Sequence, residues 1–149
     1  MVGLVYVAAL APSEGESVAS VTKPFPPAPL GGEVRADAEG FLTVTAKGIA
    51  EDFAQDLPDK EKQLLTSTQG PTASAVFGAT ITTAAWKTKP SWSVIASNDR
   101  AVPPELEKAE AAAMKATSIT VPSGHVPMLS HPKEVADLIG QAAAKAGSR

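Results

Sequence analysis

Hydrophobic positions along the chain fall into three short strand-like runs and a series of helical stripes. The runs are Gly3–Leu10 (GLVYVAAL), Ser91–Ser97 (SWSVIAS) and Thr117–Val121 (TSITV). The first is near-continuous in apolar residues, as strands covered on both faces are; Ser91–Ser97 reads as a buried strand and Thr117–Val121 as a second short strand. A helix is predicted over Pro103–Lys115, with prolines in its first turn, where a missing N–H costs nothing. Glu105, Glu107 and Glu110 lie toward its positive end and Lys115 toward its negative end. After Val121 come a loop carrying Gly124 and His125 and a helix over Pro132–Lys145, with Val135, Leu138, Ile139 and Ala142 on one face and Gly147 as a stop signal. Strand–helix–strand–helix at this spacing predicts an α/β architecture with parallel strands. The Gly3–Leu10 run has no charge, proline or bulge of the kind that protects an edge strand, so its expected place is inside a sheet. Ser91–Ser97 can be one neighbour; nothing earlier in the sequence can supply the other.

The residues between the first two runs have a different texture. A short helix is expected around Ser17–Val21, and the four prolines from Pro24 to Pro29 with Gly31 and Gly32 argue against regular structure there. Glu33–Asp37 and Phe41–Thr45 pattern as a small hairpin around Ala38–Gly40. Thr45 is placed to cap a helix with Ile49, Phe53 and Leu57 on one face. Further short helices are expected over Pro58–Ser67 and from Pro71 through Phe77. So many small elements and breakers read as a mostly helical cap, inserted at about residues 13–88 into one domain that spans 1–149. A cap lies over the ligand-binding edge of a sheet and shapes its pocket.

Composition narrows the function classes. A chain of 149 residues can form one domain, burying roughly 70% of its unfolded surface. The net charge of −3, with acids and bases mixed, gives no basic stripe for nucleic acid. No cysteine is present and there are only two histidines, so thiolate and multi-histidine metal sites are not expected. The apolar start lacks a positive leader region and is far short of the ~20 residues that span a bilayer. No membrane partner is expected, and the expected location is cytoplasmic. Phosphate loops, dinucleotide fingerprints and metal-binding helix motifs are absent, so no cofactor is expected.

Candidate chemistry sits at the ends of the second and third strands. Asp99 follows Ser91–Ser97 in N-D-R-A-V-P-P, and His125 follows Thr117–Val121 in S-G-H-V-P. In open parallel sheets, active-site residues gather at the carboxyl ends of strands. An acid that orients a histidine makes two members of a nucleophile–base–acid triad. Gly124 would let the backbone turn tightly beside the histidine. His131, at a helix start, reads as a surface or capping residue, and Glu51, Asp52 and Asp56 as a solvated helix face. Trp86, Trp92 and Phe77 read as packing residues. The nucleophile of such a triad belongs in a G-x-S-x-G elbow between strand and helix. None of Ser13, Ser17, Ser20, Ser67, Ser74, Ser91, Ser93, Ser97, Ser118, Ser123, Ser130 and Ser148 lies in one, and no Gly-rich oxyanion loop is present.

The segments GLVYVAALAPSEGES, EDFAQDLP, AWKTKPSWSVIASNDRAVPP and VPSGHVPMLSHPKEVADLI together resemble the C-terminal part of an α/β-hydrolase, specifically of the small capped esterase-like and hydroxynitrile-lyase-like members. The resemblance covers essentially the whole chain. It implies that the three runs are the last three parallel strands, that Asp99 is the acid and His125 the base of a serine–acid–histidine triad, and that the substrate is a small ester-like molecule. It also implies that about five strands, with the oxyanion loop and the nucleophile, belong to a segment missing from this chain. The chain alone is then expected to be inactive, and the unpaired strand at residues 3–10 to promote self-association. The alternative is a non-catalytic remnant that binds a small ligand or a protein partner.

Overall fold

A computed structural model describes residues 1–147; Ser148 lies outside the described residues. The chain opens with strand β1 (Leu4–Val7) and returns to its side only at residue 91. Between these points lie helix α1 (Val18–Thr22), strands β2 (Val34–Ala36) and β3 (Phe41–Val44), a short helix α2 (Ala46–Gly48) that continues as a π turn over Ile49–Phe53, helix α3 (Asp59–Thr68) and strand β4 (Thr72–Ala73). Strand β5 (Ser91–Ala96), helix α4 (Pro104–Ala113), strand β6 (Thr117–Val121), the single turn α5 (Pro127–Ser130) and helix α6 (Pro132–Gly147) complete the chain.

The first sheet has the order β1-β5-β6 and is parallel throughout, with Leu4 opposite Ser91 and Trp92 opposite Thr117. This is the expected α/β architecture with the expected strand neighbours. All six residues of β5 are buried, because a neighbour lies on each side and α4 and α6 pack against it. Trp92 and Val94 join Val121 and the α6 residues Val135, Leu138 and Ala142 in the main core. The face predicted for α6 holds at those three positions, but Ile139 is 47% exposed, since one position of a ridge of four rotates beyond the sheet. Gly147 is the last residue of the helix and not a stop beyond it. Strand β1 is shorter than the Gly3–Leu10 run and only half-buried. It ends at Ala8, whose φ of 45° breaks the extended backbone.

The segment between β1 and β5 builds a second, antiparallel sheet in the order β2-β3-β4. Its first two strands are the expected hairpin, with Val34 opposite Val44. The third replaces a helix expected from Pro71: Thr72 and Ala73 pair with Leu42 and Phe41 before a 3-10 turn over Ser74–Phe77. The proline-rich stretch ends in a further 3-10 turn, Pro29–Glu33, with proline at its start. Ser17 and Ser20 form a reciprocal capping box on α1. Thr45 caps α2 as expected, its Oγ1 accepting the Gly48 N–H at 3.0 Å. The stripe Ile49, Phe53, Leu57 does not form one straight helix, because the backbone widens into the π turn and leaves the helix at Ala54. Ile49, Ala54 and Leu57 still cluster, and the residue they meet is Val126, next to His125. Among the described residues, no helix is long and apolar enough to cross a membrane.

Candidate active site

Strand β5 stops at Ala96, and the chain turns back on itself at once. The Asp99 N–H donates to the Ala96 carbonyl at 3.2 Å, and the Asn98 N–H donates to the Ser123 carbonyl at 3.1 Å. Asp99 Oδ1 accepts the N–H groups of Ala101 (2.7 Å) and Val102 (2.9 Å), an Asx-type turn that fixes the carboxyl plane. Oδ2 is left to meet His125 Nδ1 at 2.7 Å. The Asp99 side chain is wholly buried, while that of His125 is 23% exposed. Burial opposes ionisation of Asp99, but the hydrogen bond and charge of His125, with the two N–H donors, outweigh it and hold the carboxyl below its usual range. The two residues singled out in the sequence are thus brought together, from the ends of adjacent parallel strands.

His125 is held from the other side by the stretch that follows the π turn. Its backbone N–H donates to the Phe53 carbonyl at 3.0 Å, and its ring lies 5.0 Å from that of Phe53. Asp56 Oδ2 accepts the Gly124 N–H at 3.0 Å, and Gln55 Nε2 donates to the Asn98 carbonyl at 2.7 Å. Arg100 Nε donates to Asp52 Oδ1 at 2.7 Å. Residues 52–56 therefore form a strap tied to both the Asp99 loop and the His125 loop. This corrects the expectation of a solvated face: Asp52 is 6% exposed, and Asp56 is tethered even though it lies at the surface. Burial works against the Asp56 carboxylate, but the Gly124 N–H and the Ser130 and Ser123 hydroxyls hold its pKa low. Glu51 does remain exposed, near Lys47. Gly124 is needed for close approach and not for a special turn: a Cβ there would stand 2.5 Å from Gln55 Oε1 and 3.0 Å from Asp56 Oδ1.

With Nδ1 engaged by Asp99, the ring nitrogen available for proton transfer is Nε2. His125 lines a cavity of about 950 Å³ between the end of the sheet and the β2-β3-β4 layer. Leu10, Leu30, Val44, Phe53, Leu65 and Phe77 contribute apolar wall, and His125 is the only titratable side chain in the lining among the described residues. Phe77 is thus a wall residue, 42% exposed, whereas Trp92 is core and Trp86 donates its Nε1–H to the Pro12 carbonyl at 3.2 Å. His131 ends α5 and lies 3.6 Å from Glu134, in keeping with its expected capping place. Ser123, the serine next in sequence to the histidine loop, is fully buried and bonds to Gly124 and Ser130. Among the described residues, no serine hydroxyl hydrogen-bonds to the His125 ring.

Two features escaped the sequence. Gln55 and Phe53 lie in the segment EDFAQDLP that carries part of the resemblance, but no site role was read for either. Glu107 and Glu110 were read only as lying toward the positive end of their helix. They are buried, at 2% and 9% exposure, on the face of α4 turned to the sheet. Burial raises the Glu110 pKa, against the pull of the Ala11 N–H that its Oε2 accepts at 2.7 Å.

A parallel sheet whose carboxyl edge presents a buried acid bonded to a cavity-lining histidine defines the class of α/β hydrolytic folds. The chain belongs to the alpha/beta hydrolase family, which matches it over residues 1–138. No curated protein matches the sequence. Among solved structures, a pyrethroid hydrolase from Sphingobium faniae JZ-2 superposes with a TM-score of 0.73 at 19% identity, covering 99% of this chain and 63% of that one. Polyneuridine aldehyde esterase gives a TM-score of 0.73 at 15% identity, covering 93% of this chain and 61% of its own. An extracellular alpha/beta-hydrolase from a Paenibacillus species gives 0.67 at 17% identity, with 93% and 60% covered. At these identities the likeness is one of fold. The chain spans about three fifths of the length of each of these proteins.

Proposed function

We propose that this chain carries the acid–base part of a serine-type hydrolase acting on a small, uncharged, largely apolar ester-like substrate. The observation that carries the proposal is the 2.7 Å contact between Asp99 Oδ2 and His125 Nδ1 at the mouth of an apolar cavity. In this chemistry His125 Nε2 takes the proton of a serine hydroxyl as its oxygen attacks the acyl carbon, and then gives that proton to the departing alcohol. Asp99 keeps the proton of the neutral ring on Nδ1 and stabilises the imidazolium that forms. The strap at residues 52–56 holds the ring in place, and residues 13–88 act as the cap that shapes the substrate pocket. A lining without Asp, Glu, Lys or Arg favours neutral ligands, since a charged group buried there would find no counter-ion.

The nucleophile and the oxyanion donors are assigned to a segment N-terminal to this chain. Three observations support this: no serine stands in a G-x-S-x-G elbow, β1 has a strand neighbour on one side only among the described residues, and the neighbouring folds are longer by about two fifths of their own length. The names of two neighbours, an esterase and a pyrethroid hydrolase, favour ester hydrolysis as the reaction class. The test is turnover of an activated p-nitrophenyl ester by the purified chain and by its His125→Ala variant. Equal, background rates are expected from both. A burst that depends on His125 would show that the chain supplies its own nucleophile and would overturn this division of the site.

A further inference from the structure

Glu107 stands one helix away from the acid–histidine pair, and no step of the proposed chemistry uses it. It is 2% exposed. Its Oε2 accepts the N–H of Ala96, the last residue of β5, at 3.0 Å. Its Oε1 is enclosed and receives no donor from any described residue. No Lys or Arg forms an ion pair with it among the described residues. The ionisable groups around it are Asp99, at the turn after β5, with His125 beyond, and Glu110 on its own helix; Glu110 in turn feels Glu16 and Tyr6.

Glu107 and Asp99 are both buried and within side-chain hydrogen-bonding reach of each other, and two such carboxyl groups with no Lys or Arg between them cannot both ionise cheaply, so one holds a proton. The donors decide which. Asp99 receives His125 and the N–H groups of Ala101 and Val102, all of which favour its anion. Glu107 receives one N–H and keeps one orphaned oxygen, which is satisfied if that oxygen carries a proton and donates it. We propose that Glu107 is a neutral carboxylic acid at neutral pH and donates a hydrogen bond to Asp99, so that it acts as a positioning residue for the acid that orients His125. Burial, set against the Ala96 N–H and reinforced by the hydrogen bond and charge of Asp99 and by the charge of Glu110, pushes its pKa up to about 9. Above that pH Glu107 releases its proton to solvent and places a second negative charge beside Asp99. The protonation state stands independently of the hydrolase assignment; only its consequence for turnover rests on that assignment.

The test is infrared spectroscopy of the full chain labelled with 13C-glutamate. A protonated-carboxyl band is expected at pH 7, lost in Glu107→Gln, kept in Glu110→Gln, and titrating away near pH 9. Absence of the band at pH 7, or its survival in Glu107→Gln, would overturn the proposal; if Glu107→Gln does not fold, the band kept in Glu110→Gln carries the assignment, and its loss there would overturn it. Denaturant stability gives a second readout. A carboxyl whose folded pKa is raised adds stability that is full below the unfolded value near 4.5 and is lost as pH rises toward about 9. Glu107→Gln, which keeps donor and acceptor but cannot ionise, should therefore gain on the wild type steadily between these limits. A constant offset across pH would mean packing only and would contradict the proposal. The low-field Nδ1 proton resonance of His125 should be shifted in Glu107→Leu and restored in Glu107→Gln; a signal unmoved by both would show that Glu107 does not act on Asp99.

Discussion

Gly124 illustrates how little freedom the site leaves to a single residue. Its backbone N–H must reach Asp56 while Gln55, bonded to the Asn98 carbonyl, passes close overhead. Both side chains are flexible at their ends, but both ends are already committed. In Gly124→Ala the added methyl would lie within 3.0 Å of atoms of each, so at least one tether has to give. A loss of about 1–2 kcal/mol is expected. Amide hydrogen exchange should speed at residues 124 and 125 while β5 keeps its protection. Unchanged exchange in the histidine loop would show that the strap does not hold it. Ala8 is the other locally demanding residue: it adopts a left-handed φ of 45° while 4% exposed, at the edge of the cavity. Asp99 and His125 were legible in the sequence because each follows an apolar run and carries chemistry that few residue types supply. Gln55, Asp56 and Glu107 were not, since their roles come from contacts 43, 68 and 11 residues away, which no local pattern encodes.

Among the elements, the apolar runs of the parallel sheet were the most readable, because burial on both sides demands an unbroken apolar sequence. The run Gly3–Leu10 fits this description but its strand β1 is half-buried here, whereas β5 is buried throughout although Ser91 and Ser93 interrupt its apolar residues. The inward face of helix α4 was not read from the sequence. The residues it turns inward are Leu106, Glu107, Glu110, Ala111 and Met114, a stripe at helical spacing that two glutamates interrupt. Hydrophobic periodicity cannot see a buried carboxyl, and the preference of acids for the first turns of a helix offered another explanation. The π turn was hidden for a related reason: Ile49 and Phe53 keep a spacing of four whichever helix type carries them. Strand β4 is two residues long and is set by pairing with β3, not by its own sequence. Strand β1 leads to a prediction at this scale. Its apolar backbone edge pairs with β5 on one side, and no described strand pairs with the other. Such an edge is a template for intermolecular pairing. The purified chain should self-associate in multi-angle light scattering; a monodisperse monomer at high micromolar concentration would count against an uncovered edge.

For the whole molecule, the carboxyl edge of the parallel sheet, the strap and the cavity form one unit. The second core, built from Ile49, Ala54, Leu57 and Val126, joins the β2-β3-β4 layer to the histidine loop, so the pocket wall and the loop of His125 are anchored together. The resemblance carried by GHVP and NDRAVPP placed the chain in the family whose model matches residues 1–138. What it implies for catalysis still depends on a nucleophile and oxyanion donors reaching the free side of His125. The most direct measurement joins this chain to the polypeptide encoded immediately upstream in the same frame and follows ester turnover with His125→Ala and Asp99→Asn controls. The upstream segment should contain a G-x-S-x-G elbow, and turnover should fall by about 10³-fold or more in each control. An upstream sequence without that elbow, or turnover that survives loss of His125, would contradict the assignment of Asp99 and His125 as the acid–base pair of a serine hydrolase.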